Sequence, residues 1–352
     1  GQRGTDFVMR KEVLAVGCAL MVFCGCGKNN AAQHYESGWA AMEKKDYTTA
    51  VNEFQQVIDQ NSRLAESYRA EGIAYYSEKA YPEAIAAFSR SLNNMDDPDK
   101  EFKKDVQFYL AQARMDYGEV DKAIEVYSEI LKAGEDEQAF FLRGKAYISM
   151  EDYKNAEKDF QRALEGCEDY NLYINIYQIY VDHNKAVDGD AYLKMALELE
   201  PQDGEDCYHR GRIYEYEKNY EAARDELKTA MEQGYEDAML LLGRVYLEME
   251  DPASARSMYQ EYLQKSEQGA KAYNGLAMCD IYDGAYDSAL ENIAQGLKEN
   301  SKEDEQGLLY NEIVAYEYKR DFATAKEKMK IYLEQYPEDE AALRENEFLS
   351  TR

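Results

Sequence analysis

At 352 residues, with 70 acidic against 41 basic side chains, the chain carries a formal charge of −29. Such a charge repels nucleic-acid phosphates and anionic lipid headgroups, so no nucleic-acid partner is expected. Five prolines against abundant Tyr, Leu, Ala, Glu and Lys favour helices throughout and exclude a largely disordered chain.

At the amino terminus, Met9-Arg10-Lys11 precedes an apolar stretch from Val13 to Phe23 and a polar run from Gly27 to Asn30. A basic segment, a short apolar segment and an immediate polar exit read as a secretory signal, too short to span a bilayer. Residues 1–8, ahead of Met9, are expected to lie outside the fold. The Gly25-Cys26 junction followed by Gly27-Lys28-Asn29 resembles a bacterial lipoprotein box, although Phe23 and Cys24 stand where that family usually has leucine and a small residue. The resemblance implies lipidation at Cys26, with Cys18 after Ala15-Val16-Gly17 as the alternative. An ordinary cleaved signal or an uncleaved helix is the plainer reading. On the lipoprotein reading, residues 1–25 hold the upstream residues and signal, residues 26–33 form a tether, and the mature protein is anchored outside the cytoplasm at a bacterial envelope.

From residue 34 onward a small side chain returns at Gly38, Gly72, Ala111, Gly144, Gly211, Gly243 and Ala277, and another follows at Ala50, Ala84, Ala123, Ala156, Ala223, Ala255 and Ala289. A period of about 34 residues signals a helical repeat array, in which length counts repeats rather than domains. In the best-formed unit, Phe141, Gly144 and Tyr147 mark a first helix. Tyr153 marks the turn, and Ala156, Phe160, Ala163 and Leu164 mark a second helix. The Gly144/Ala156 pair predicts close helix crossing, and apolar residues three and four apart predict one buried stripe per helix.

These positions resemble the tetratricopeptide repeat. The resemblance implies an all-α fold: a right-handed superhelical solenoid of about nine hairpins over residues 34–337, with units starting near Ala31, Ala65, Lys104, Glu137, Tyr170, Gly204, Glu236, Ala270 and Gln306. The second-helix core residue recurs as Phe54, Phe88, Tyr127, Phe160, Leu193, Leu227, Tyr259, Ile293 and Met329. Three departures stand out. The fifth unit has Tyr177 at the small first-helix position and Gly189 at the alanine position, so its hairpin is expected to open or shift. Ile313 fills the small position of the ninth. Extra residues from Asp96 to Phe102 lengthen the second connection. Residues 338–352 hold a final amphipathic segment, Asp339–Leu349, expected to cap the last hairpin.

No zincin motif, phosphate-binding loop, nucleophile elbow or calcium loop appears, so no enzyme activity, cofactor or small-molecule substrate is expected. His34, His183 and His209 fall in separate units and read as structural or surface residues rather than metal ligands. Cys167, Cys207 and Cys279 read as small packing residues, and nothing in their spacing establishes a Cys167–Cys207 disulfide. The 32 tyrosines admit a glycan-binding surface, although repeat packing accounts for most of them. Trp39 is expected on the exposed first-helix face of the first unit.

Members of the resembled family hold peptides or partner helices on a concave face formed by first helices. On this chain the matching positions are Phe108 and Met115, Phe141 and Ile148, Ile174 and Val181, and Leu240 and Leu247, with Lys145, Gln178, Arg212 and Arg244 in one polar register. The apolar pairs point to a hydrophobic protein or peptide segment, or else to burial between adjacent first helices. Arg212 with Glu215, and Arg244 with Glu248, have spacings suited to same-helix ion pairs. The resulting expectation is a lipid-anchored scaffold in envelope complex assembly or localisation, with a surface glycan-binding lipoprotein as the alternative.

Overall fold

The computed structural model describes residues 30–97 and 99–352. The anchor candidates Cys18 and Cys26 lie outside these residues. Among them are nineteen α-helices and no strand. The chain divides into two compact units, one ending at Asp190 and one spanning Ala191–Arg352.

The first unit contains α1 (Asn30–Glu43), α2 (Tyr47–Asp59), α3 (Leu64–Ser77), α4 (Tyr81–Asn93), α5 (Lys100–Tyr117), α6 (Val120–Ala133), α7 (Glu137–Ser149), α8 (Tyr153–Ala163), α9 (Tyr170–Asp182) and the start of α10 (Ala186–Leu197). The second continues from α10 through α11 (Gly204–Tyr216), α12 (Tyr220–Glu232), α13 (Ala238–Glu248), α14 (Pro252–Lys265), α15 (Ala270–Tyr282), α16 (Tyr286–Lys298), α17 (Lys302–Tyr318), α18 (Phe322–Gln335) and α19 (Glu340–Ser350). Two first helices begin earlier than the repeat register predicts. Lys100–Lys103 belong to α5, whose start is fixed by Asp99 accepting from the Glu101 N–H. Lys302–Glu305 belong to α17, where Glu303, Asp304 and Glu305 complement the positive end of the helix dipole.

Each hairpin turns in one way. Seven residues after the small first-helix position the backbone enters the left-handed region, at Lys45, Lys79, Gly118, Glu151, Asn184, Lys218, Glu250, Gly284 and Arg320. The next residue caps the second helix where it can. Asp46, Asp152, Asn219, Asp251 and Asp321 accept from the N–H three residues on, satisfying a donor that the helix itself leaves free.

All nine predicted second-helix core residues are buried, as are the seven predicted second-helix alanines. The glycines explain the spacing more closely than helix crossing alone. A Cβ at Gly38, Gly72, Gly144, Gly211 or Gly243 would fall 2.5–2.7 Å from the Phe54, Phe88, Phe160, Leu227 or Tyr259 side chain respectively. Each glycine is therefore room for the core residue sixteen positions later. In the fifth hairpin the sizes are exchanged. A Cβ on Gly189 would lie 3.1 Å from the Tyr177 ring and 3.3 Å from its carbonyl oxygen. The ring fills the space of the missing methyl, so α9 and α10 approach closely there instead of opening. At the carboxyl end, Ala342 and Leu349 of α19 are buried in one cluster with Ile313, Met329 and Tyr332.

Candidate partner-binding faces of the first helices

In the first unit, four of the predicted groove residues are buried. Ile148 is fully inaccessible, Ile174 is 2% exposed, Phe141 6% and Phe108 8%. Their rings serve the core: Phe108 lies 6.4 Å from the Tyr127 ring and Phe141 lies 6.1 Å from Phe160. Met115, Lys145 and Val181 are half-buried, and Gln178 is exposed. The packing alternative of the sequence reading thus accounts for the four buried residues, and the accessible part of this face is narrower and more polar.

In the second unit Leu240 and Leu247, one on each side of Arg244 along α13, are half-buried against the cluster of Met239, Tyr259 and Tyr262. The Arg244 side chain is 60% exposed, and its guanidinium forms a fork onto Glu215 of α11, with Nε–Oε1 and Nη2–Oε2 both 2.7 Å. This corrects the expected same-helix pairs. Glu215 is taken by Arg244 of the next hairpin, because two first helices in adjacent repeats bring these side chains into planar register. Glu248 accepts instead from the Tyr220 hydroxyl at 3.4 Å, and Arg212 Nη1 meets His209 Nδ1 at 3.2 Å. Burial works against the proton on Arg244, but the hydrogen bonds and charge of Glu215 outweigh it and raise its pKa. A bidentate pair of this kind fixes one guanidinium edge and uses two of its five N–H groups.

The tetratricopeptide repeat family model matches residues 35–99, 208–270 and 240–305, and a second model of the same repeat matches 137–169. The chain is built of tetratricopeptide repeats. Solved structures that resemble it include a tetratricopeptide repeat protein from Parabacteroides merdae, with 16% identity over 81% of this chain and 99% of that one and a TM-score of 0.44. YrrB, described as a tetratricopeptide repeat protein with an unusual peptide-binding site, matches at 26% identity over 53% of this chain and 97% of its own, with a TM-score of 0.35. Yeast Tom70 matches at 15% identity over 87% of this chain and 78% of its own, with a TM-score of 0.47. No curated protein matches the chain.

The tetratricopeptide frame also reveals ion pairs that the sequence reading missed. The residue before the small position and the residue before the second-helix core position lie sixteen apart. They pair as Arg143–Asp159 (Nε–Oδ2 2.7 Å), Arg210–Glu226 (3.0 Å) and, with polarity reversed, Glu312–Lys328 (2.9 Å). Arg143 adds a bond to Ser128 Oγ at 3.0 Å. Arg210 also reaches the Leu197 and Leu199 carbonyls at 3.1 and 3.0 Å. The signal was present as opposite charges at a fixed offset across the hairpin, outside the three-and-four spacing used for single helices.

Cys167, Cys207 and Cys279 are free thiols. Burial pushes Cys279 up to about 11, which keeps it protonated and unreactive. His34 meets Glu53 at 2.5 Å, and His183 Nδ1 lies 2.9 Å from the Ile179 carbonyl oxygen. Among the described residues no cluster of three or more His, Cys, Asp or Glu is placed to hold a metal. Trp39 is half-buried rather than exposed, edge-on to Phe54 at 5.4 Å.

Proposed function

We propose that this repeat protein is a scaffold that binds a protein or peptide segment on its first-helix faces, anchored through Cys26 at the outside of a bacterial membrane for envelope complex assembly or localisation. The observation that carries the binding reading is the α13 strip. Leu240 and Leu247 offer half-exposed apolar surface, and Arg244, held by Glu215, offers an oriented donor between them. Apolar contact supplies affinity and the guanidinium sets register, a division common in peptide grooves. Met115, Lys145 and Val181 offer a smaller counterpart in the first unit.

The binding reading is tested by crosslinking and pull-down from native membranes with the wild type and the Leu240→Ala/Leu247→Ala variant. Reduced capture at unchanged helical circular dichroism supports it; equal capture rejects this strip. Anchoring is tested separately. Cys26→Ala should abolish incorporation of labelled fatty acid, and continued labelling would move the anchor to Cys18. Among the described residues no helix is long and apolar enough to cross a membrane.

A further inference from the structure

α19 follows the last hairpin as a single helix. Of its eleven residues only Ala342 and Leu349 are buried, while Leu343 is 44% exposed and Phe348 40%. The apolar hold is slight, so the polar contacts along the helix decide how firmly it docks. At its start Asp339 Oδ2 accepts from the Tyr332 hydroxyl at 2.5 Å and from Gln306 Nε2 at 3.3 Å, and Oδ1 accepts from the Ala342 N–H at 3.2 Å. Near its middle the contact is of another kind. Glu345 meets Glu317 of α17, carboxyl to carboxyl. Glu317 Oε1 is buried, with no donor to it among the described residues. Two carboxylates offer only acceptors, so the contact is repulsive when both are ionised and becomes a hydrogen bond when one proton lies between them. Cations of the surrounding helices are engaged elsewhere. Lys328 of α18 pairs with Glu312 at 2.9 Å, Lys319 just past α17 with Asp287 of α16 at 2.6 Å, Arg256 with Asp280 of α15 at 2.8 Å, and Arg344 of α19 approaches Glu340 at 3.9 Å.

We propose that α19 is a proton-locked cap on the array: a proton shared by Glu317 and Glu345 docks the helix, and its departure loosens it. The device lies apart from the α13 strip and from the anchor, and depends on neither. Burial first, then the hydrogen bond and charge of Glu345, push the Glu317 carboxyl up from 4.5 to about 8. Once α19 is released, the carboxyl reaches water and returns to its ordinary value. The docked pair therefore holds its proton more tightly than the released pair. Docking is firmest below about pH 4.5, weakens as the pH rises, and reaches its floor above about pH 8. The other titratable groups around α19 keep their state between pH 6 and pH 8. Tyr310 and Tyr332 are raised above the usual phenol value, chiefly by burial, and Asp339 is held below the usual carboxylate value, chiefly by the Tyr332 hydroxyl. What loosening bares is the side of the final cluster, with Ile313, Met329 and Tyr332, that Ala342 and Leu349 cover. Opening of a terminal helix is a local event that leaves the rest of such an array folded.

The test is amide hydrogen exchange of the whole chain at pH 6 and pH 8, each rate divided by the rate of the same amide in an unstructured chain at that pH. Protection in α19 should fall at least about tenfold from pH 6 to pH 8. Glu345→Gln and Glu317→Gln each put an amide donor opposite the remaining carboxylate at every pH. In both variants α19 should stay protected to the same degree at the two pH values, with helical circular dichroism as in the wild type. Glu71→Gln, which removes a buried carboxyl on α3, should leave the fall in α19 unchanged. The proposal is overturned if wild-type protection in α19 is equal at the two pH values, if the fall persists in both glutamine variants of the pair, or if Glu71→Gln abolishes it.

Discussion

A buried carboxyl and a missing methyl show how much single residues decide in a thin repeat protein. Glu71, the residue before the small position of α3, is 5% exposed. Burial raises its pKa to about 7, against the opposing charge of Arg90 and a hydrogen bond from Tyr75. The unfolded chain releases this proton near 4.5. Folding therefore carries no penalty below that pH, a growing one as pH rises toward 7, and a constant one above. Glu71→Gln should match the wild type in urea denaturation at pH 4 and exceed it by about 2–3 kcal/mol at pH 8. An equal difference at both pH values would show that Glu71 ionises freely. Gly144 poses the opposite problem. A Cβ there would lie 2.7 Å from the Phe160 ring, which is itself fully buried. Gly144→Ala should lose about 1–3 kcal/mol by overpacking, although alanine favours helix by nearly 1 kcal/mol over glycine. A vanishing penalty for Gly144→Ala in a Phe160→Ala background would identify the ring as the cause, since a leucine there, like Leu227 against Gly211, would still clash. Sequence periodicity located Gly144 and Phe160 but joined the glycine to Ala156, since a period marks positions without saying which side chain fills which space.

At the scale of the element, the second-helix starts carry a capping signal that the 34-residue period does not use. Asp46, Asp152, Asn219, Asp251 and Asp321 each stand just before an aromatic or proline that opens the second helix. The long starts of α5 and α17 were less legible, because the repeat register suggested starts at 104 and 306 and the first turns at Lys100 and Lys302 lie outside it. The left-handed turn residue ahead of each cap was invisible to periodicity, since Lys, Glu, Asn, Arg and Gly all occupy it. Glu151, with φ of 58°, bears the steric cost of a Cβ in that region. Glu151→Gly removes that clash at an exposed position outside the regular helix, at some expense in unfolded-chain entropy. The net change should be a gain of about 0.5–1 kcal/mol in the α7–α8 hairpin, read as a higher urea midpoint with the same denaturant slope. The same change at Gln161, on the exposed face inside α8, should instead destabilise by a similar amount. If both glycines act alike, the turn is not strained in solution.

Over the whole molecule, contacts link each helix mainly to its neighbours in sequence, and the core is a series of local clusters. One joins Phe88 to Tyr109, another Leu227 to Leu242, and another Ile313 to Leu349. This is why fold class was readable from one 34-residue pattern, whereas the binding faces were not. Exposure at a first-helix position depends on the size of the side chains in the adjacent hairpin, and periodicity places Phe141 and Leu240 in the same register without separating buried from accessible. The same locality governs unfolding. In such arrays stability is approximately a sum of repeat and neighbour terms, so damage spreads from its origin rather than felling the molecule at once. Met329→Ala empties a fully buried site in the last cluster and should cost that cluster about 2–5 kcal/mol. Hydrogen exchange should then show faster amide exchange in α17, α18 and α19, with protection in α3 to α6 within error of the wild type. Uniform acceleration across both compact units would instead mean that the chain unfolds as one cooperative body, and the nearest-neighbour account would fail.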